Sequence, residues 1–192
     1  MVNDMYFEFE LEHAANVLIN ETCKLKKGET LMITCDTQGD IRLAIATAKA
    51  AFAAGGKPML IWTASPLGAG KMVDGFLPSE SILAAALKAD AWVEFNKQYF
   101  LYSDTYQAAV DGNPKLRFLG LPGTTSDVFV KLYGRADQYA VAEMVTAVAA
   151  RTKAAKHVRL TSALGQDIEF DNDPDNPVRA ETGFWDKPGT MM

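Results

Sequence analysis

Two nearly continuous apolar runs, Thr30-Leu31-Met32-Ile33-Thr34-Cys35 and Lys57-Pro58-Met59-Leu60-Ile61-Trp62, flank an Ala-rich stretch at residues 41–54 that stops on Gly55-Gly56. A run without polar alternation suits a strand buried on both faces, as in parallel sheets. Strand, helix and strand in such a short span make a βαβ unit, which favours a parallel pair with a right-handed crossover. The polar loop at 36–40 lies between the first strand and its helix.

The same alternation continues. Residues 78–88 read as a helix, Ala91-Trp92-Val93-Glu94-Phe95 as a third strand, 104–110 as a short helix and 116–121 as a fourth strand. Before the first strand, Leu11, Ala14, Ala15, Leu18, Ile19 and Cys23 recur at three- and four-residue spacing, which predicts a helix over 10–27 with one apolar face. Its acidic start and basic end suit the helix dipole. After the fourth strand a helix over 138–153 is expected to cover it, with Ala140, Val141, Met144, Val145 and Val148 as a buried stripe. The fold class is therefore α/β: a Rossmann-like, open, mostly parallel sheet flanked by helices.

The character changes near 153–157. Residues 158–161 and 168–170 are two strand-like runs joined by a turn with a single glycine, Gly165, which reads as a β-hairpin. Residues 172–192 are rich in Asn, Asp, Pro and Gly, with turn chemistry and few core residues. Phe184 and Trp185 in that segment are expected to close a small core. The organisation expected is an N-terminal α/β domain over 1–156 and, over 157–192, a hairpin and turn-rich opening of an incomplete second domain. The hairpin's apolar face would need cover, so a homo-oligomer, or a second chain or domain completing the fold, is expected.

Net charge is −5 and no basic stripe is present, which argues against nucleic acid and against an anionic membrane surface as partners. No apolar run approaches the roughly 18 residues that span a bilayer. Cys23 and Cys35 form no Cys-x-x-Cys pair and no secretory start precedes them, so free thiols in a reducing cytoplasm are expected.

The loop Ser65-Pro66-Leu67-Gly68-Ala69-Gly70-Lys71 fails as a phosphate-binding loop, because Ser65 stands where the first Gly belongs and Met72 where Ser or Thr belongs. A surface loop is the better reading. His13 and His157 are the only histidines; nothing in the sequence brings them together around a metal, and both read as structural or surface groups. No Gly-x-Ser-x-Gly elbow is present. Ligands of open α/β sheets bind beyond the carboxyl ends of the strands. Asn96, Lys97 and Tyr99 after the third strand and Thr124 after the fourth would lie at that rim, as would the loop Asp36-Thr37-Gln38. With Ser162 of the hairpin turn, Asn96, Lys97, Tyr99 and Thr124 are the candidate substrate-cleft residues.

The stretch Leu160-Thr161-Ser162-Ala163-Leu164-Gly165-Gln166-Asp167-Ile168, followed by Gly183 and Pro188-Gly189, resembles a junction in the aminopeptidase T-type metallopeptidases and the related 2,5-dihydroxypyridine 5,6-dioxygenases. There a strand and a Thr-Ser-x-x-Gly-Thr-Asp-Leu-like turn follow an N-terminal α/β domain; Gln166 here replaces the usual Thr. The runs at 27–33 and 53–58 fit the first βαβ unit of that superfamily. The resemblance implies the first half of a metal-dependent enzyme acting on a peptide or small-molecule substrate. It implies a divalent metal (Fe, Zn, Co or Mn) for a full-length relative, with ligands from the C-terminal domain, so no metal ligand is assigned here and no cofactor is expected on this chain alone. The N-terminal domain would help form the cleft and the dimer. The alternative expectation is a non-catalytic ligand-binding or assembly subunit with the same fold.

Overall fold

The computed structural model describes residues 2–173 and 175–192, with side chains from Phe7 onward. Four strands, β1 (Thr30–Asp36), β2 (Lys57–Thr63), β3 (Ala91–Glu94) and β4 (Arg117–Gly120), form one parallel sheet in the order β2-β1-β3-β4. In register, Ile33 of β1 lies beside Leu60 of β2 and Val93 of β3, and Val93 lies beside Leu119 of β4. The expected class, a mostly parallel α/β sheet flanked by helices and followed by a hairpin, is the observed one.

Side-chain alternation divides the core into two layers. Leu31, Ile33 and Cys35 pack on one face with α1 (Val2–Asn16) and α2 (Ile41–Ala53). Met32, Trp92 and Phe118 pack on the other, the face of α3 (Ser79–Ala86) and α4 (Asp104–Gly112). Trp92 meets Phe118 edge-on, ring centroids 5.0 Å apart, and its Nε1–H donates to Thr34 Oγ1 at 3.0 Å. That satisfies the one polar group of an otherwise apolar layer member.

Two helices depart from the periodicity. The first is not continuous over 10–27: α1 widens into a π-type turn at Val17–Cys23 and stops at Lys24, whose backbone is left-handed (φ 51°). The apolar face is as spaced, with Leu11, Ala14, Ala15, Leu18, Ile19 and Cys23 all buried. The break has a cause. The Thr22 hydroxyl donates to the Leu18 carbonyl, and Trp185 donates to Thr22 twice, from its backbone N–H to the carbonyl and from Nε1–H to the hydroxyl. Side-chain bonding to the i−4 carbonyl competes with the helix ladder. The second departure is α5 (Ser126–Phe129), which runs into a π-type turn at Val130–Gly134; it brings Phe129, Val130 and Tyr133 into the α1 layer from a stretch with no expected element.

Trp185 is fully buried in the same layer. Beyond it the chain lies along β4 as a short parallel neighbour: Phe118 N–H donates to Thr190 O, Met192 N–H to Phe118 O and Gly120 N–H to Met192 O, at 2.8, 3.0 and 2.8 Å. The β4 edge of the sheet is thereby covered.

The chain divides into two compact units, Met1–Ala136 with Phe184–Met192, and Asp137–Gly183. The second consists of α6 (Gln138–Ala154) and the antiparallel hairpin β5 (His157–Thr161) and β6 (Asp167–Asp171). Asp137 caps α6, accepting from Tyr139 and Ala140 N–H. The hairpin is two-faced: Arg159 pairs with Asp167 and Glu169, and His157 with Asp171, on one side, while Val158, Leu160, Ile168 and Phe170 occupy the other. The stripe expected to be buried on α6 is not. Met144 and Val148 are 62% and 58% exposed, and no described apolar side chain of this unit is buried. One helix and two strands lack the layer needed to enclose a core. Among the described residues no helix is long and apolar enough to cross a membrane.

Candidate functional site

β1 connects through α2 to β2 on one side, and its other neighbour is β3, so the order reverses between the carboxyl ends of β1 and β3. Such a reversal opens a crevice, the usual ligand position in sheets of this type. Asp36 ends β1, Glu94 ends β3 and Asn96 follows two residues later; all three are fully buried.

Asp36 ties the two loops together. Its Oδ1 accepts from Gln38 and Gly39 N–H at 2.9 and 2.8 Å, and its Oδ2 from Gln98 N–H at 3.0 Å and from Ser65 Oγ at 3.4 Å. The turn after β1 approaches β3 so closely that a Cβ on Gly39 would lie 2.6 Å from the Phe95 carbonyl oxygen and 2.9 Å from Cys35 Sγ. Only glycine fits there. Asp40 joins two further elements: its Oδ1 caps α2 through Arg42 N–H, and its Oδ2 accepts from the Ser126 N–H and hydroxyl at the start of α5. The positive ends of both helices thus already face a carboxylate.

Glu94 is unlike the other two carboxylates. One oxygen accepts from Phe100 N–H, while the other, with both polar atoms of the Asn96 side chain, has no hydrogen-bond partner among the described residues. Burial pushes its carboxyl up to about 8; the Phe100 and Leu101 N–H groups act in the opposite direction, and the charge of Asp36 adds to the rise. At neutral pH Glu94 is therefore a neutral acid, able to donate from one oxygen and accept at the other. Next to it, Asn96 presents a donor and an acceptor. Both side chains are fully buried, so these unmet polar atoms can hold a proton, or meet a small hydrogen-bonding group that enters the rim.

Of the residues picked from the sequence, four gather at this rim. The Asn96 carbonyl accepts from Gly123 N–H at 3.0 Å, beside Thr124, and Lys97 extends over Gly123. Lys97 is exposed; Tyr99 and Thr124 are half-buried, and the Tyr99 carbonyl accepts from Gly70 N–H. That last bond ties down the glycine loop after β2, whose Gly70–Gly75 part is a 3-10 turn. Ser162 belongs to the second unit, where its hydroxyl accepts from Leu164 N–H within the hairpin turn. Glu94 was missed as a site residue. Its signal was a single ionisable residue in a run otherwise suited to complete burial.

The described residues contain no group of three His, Cys, Asp or Glu side chains placed to hold a metal ion. His13 is exposed on α1, and His157 is engaged by Asp171. The described residues therefore do not fit an iron centre. Cys23 and Cys35 are free and buried, and burial pushes their thiols up to about 12 and about 11. They are inert packing groups rather than nucleophiles.

No curated protein matches the sequence significantly. Among solved structures, the 2,5-dihydroxypyridine dioxygenase of Pseudomonas putida KT2440 shares the fold, with a TM-score of 0.65 and 14% identity over 95% of this chain and 52% of that one. AmpT from Thermus thermophilus aligns with a TM-score of 0.46 and 14% identity over 84% of this chain and 58% of its own. The chain thus spans about half the length of these proteins. The family model described as 2,5-dihydroxypyridine 5,6-dioxygenase (NicX) matches residues 14–192, and by that match the chain belongs to the 2,5-dihydroxypyridine 5,6-dioxygenase family.

Proposed function

We propose that this chain is the cleft-forming α/β half of a metal-dependent enzyme of the dioxygenase type, acting on a small aromatic diol, with the metal centre supplied by residues outside the 192 present here. The observation that carries the reading is the family match over 14–192, in a chain that spans 52% of the Pseudomonas putida dioxygenase. The rim at Asp36, Glu94 and Asn96 supports it, because a neutral acid beside an amide suits the hydroxyl and ring-nitrogen groups of such a substrate. In this reading Asn96, Lys97, Tyr99 and Thr124 line one wall, Ser162 lies in the turn leading toward the metal half, and the buried free thiols suit a reducing cytoplasm. Oxygenolytic ring opening is favoured over peptide hydrolysis by the family description alone.

A second reading, a non-catalytic assembly subunit, is favoured by the hairpin: Leu160, Ile168 and Phe170 are 59%, 51% and 48% exposed on one face. A patch of that kind marks an interaction surface. Anaerobic titration of the purified chain with Fe(II), followed by oxygen uptake with 2,5-dihydroxypyridine, tests the first reading. The expected result is no stoichiometric iron and no uptake. One iron per chain with turnover would put the centre within this chain and refute the proposal. Binding of the diol without metal, lost in Asn96→Ala, separates a cleft-forming half from a subunit with assembly duties only.

A further inference from the structure

Among the described residues other than glycine, Lys24 (φ 51°) and Tyr102 (φ 70°) have a left-handed backbone. Lys24 ends a helical segment, a place where that conformation is ordinary. Tyr102 ends nothing. It is the third residue of the turn at 100–103, which Ser103 N–H closes by donating to Phe100 O at 2.7 Å. A left-handed third position suits Gly or Asn, and a bulky aromatic there is strained. Such strain persists only where the surrounding structure fixes it. Here both neighbours are fixed inward. Phe100 is fully buried, its ring edge-on to Trp92 at 5.6 Å, and its N–H donates to the buried Glu94 carboxyl. Ser103 is fully buried and caps α4, its hydroxyl accepting from Tyr106 N–H at 3.0 Å. With residues 100 and 103 held inside, the Tyr102 ring is held outside, 71% exposed.

The glycine loop after β2 lies beside this ring. Gly70 N–H donates to Tyr99 O at 3.0 Å, and a Cβ on Gly70 would stand 3.9 Å from Tyr102 Cβ. Tyr99, Gly70 and Tyr102 are therefore neighbours, on the same loop as Asn96 and Lys97. Glycine keeps the facing loop low: Gly70 is itself left-handed (φ 59°), and a Cβ on Gly68 would meet Met72 Cβ at 2.7 Å. The two segments are fastened to each other. Asp74 accepts from Asp104 and Thr105 N–H at 2.8 and 3.2 Å, and Lys71 reaches Asp104 at 3.9 Å. A ring held in place against its backbone preference, and left uncovered, contributes nothing to packing. We propose, on the reading of this rim as a ligand cleft, that Tyr102 is a specificity-determining residue: its ring is the stacking platform for the flat aromatic ring of a small ligand whose polar groups enter at Asn96. Glu94 serves it only as a positioning residue, through Phe100 N–H. Stacked or edge-on rings attract beyond their buried area, so the platform prefers an aromatic ring to a saturated one of the same size.

Binding and stability are read together on the whole chain. Anaerobic calorimetry without metal compares 2,5-dihydroxypyridine with cyclohexanediol, its saturated counterpart, on the wild type, Tyr102→Gly, Tyr102→Phe and Asn96→Ala. Glycine relieves the strain at position 102, so Tyr102→Gly is expected to keep or raise the urea midpoint while weakening the dihydroxypyridine about tenfold. It should also lose the wild type's preference for the aromatic over the saturated ring. Tyr102→Phe keeps the ring and should bind as the wild type does. Equal binding by Tyr102→Gly and wild type would overturn the platform, and so would Tyr102→Phe binding as weakly as Tyr102→Gly. Weakened binding together with a lower urea midpoint would mean a damaged turn and would overturn it too. In each of these cases loss of binding in Asn96→Ala still upholds the cleft, so the two readings fail separately. A wild type that does not bind the dihydroxypyridine would remove both.

Discussion

Replacing Glu94 by Gln should make the protein less sensitive to rising pH, by an amount that follows from the buried acid. The Glu94 carboxyl is pushed from an ordinary 4.5 to about 8 in the folded chain, chiefly by burial. Between those values the folded state holds a proton that the unfolded state has released, so stability falls as pH rises. The contribution is fully present below about pH 4.5, is lost progressively toward about pH 8, and is flat beyond. Each unit inside that window is worth about 1.4 kcal/mol. Glutamine stays neutral, keeps an acceptor for Phe100 N–H and carries no such slope. From pH 5 to pH 7 the wild type should therefore lose about 2 to 3 kcal/mol relative to Glu94→Gln. Urea unfolding at pH 5, 6, 7 and 8 measures this through the fluorescence of Trp92 and Trp185, both fully buried. Titrations shared by both proteins cancel in the difference. Parallel stability–pH curves with unchanged m-values would mean that Glu94 is already ionised at pH 5, and the assignment of a neutral acid at the rim would fall.

Arg117 is buried, with one N–H on Cys23 O at 2.9 Å and another on Glu29 at 2.6 Å, so Arg117→Ala should cost about 3–5 kcal/mol in urea unfolding, and Arg117→Met less. Cys23 and Cys35, buried and with thiols pushed up to about 12 and about 11, should not react with a disulfide reagent at pH 8 until denaturant is added; rapid labelling of either in the folded state would contradict that. Amides of α6, β5 and β6, in a unit whose described residues include no buried apolar side chain, should exchange far faster than those of β1 and β3, as mass spectrometry would show. Ser103→Ala removes the N-cap oxygen that accepts from Tyr106 N–H and should cost about 1 kcal/mol in the same unfolding assay.

The sheet could be read from the chain because β1, buried on both faces, is written as an apolar run at Thr30–Asp36; β2 at Lys57–Thr63 is written in the same way, although at the edge of the sheet none of its residues is buried, contrary to the expectation of a strand buried on both faces. The α1 face was legible for the same reason, since burial imposes its spacing. Its π-type ending was not, because it depends on Thr22 meeting Trp185 from the far end of the chain. Periodicity on α6 marked an apolar side correctly but said nothing of whether anything encloses it; Met144 and Val148 are exposed. At the rim, the placement of Asn96 followed from its position just past the third strand. Glu94 escaped because its character comes from burial and from the strand beside it, neither of which is local in sequence. Asp36 was recognised only as part of a polar loop, while its role lies in bonds to Gln98 and Ser65, sixty-two and twenty-nine positions away.

Because one carboxylate fastens both the bend leaving β1 and the segment leaving β3, the two walls of the crevice are not free to drift apart in evolution. A change that reshapes one wall is transmitted to the other through Asp36, so under the proposed function altered specificity would arise in side chains that leave this fastening in place, such as Lys97 or, on the separate loop after β4, Thr124.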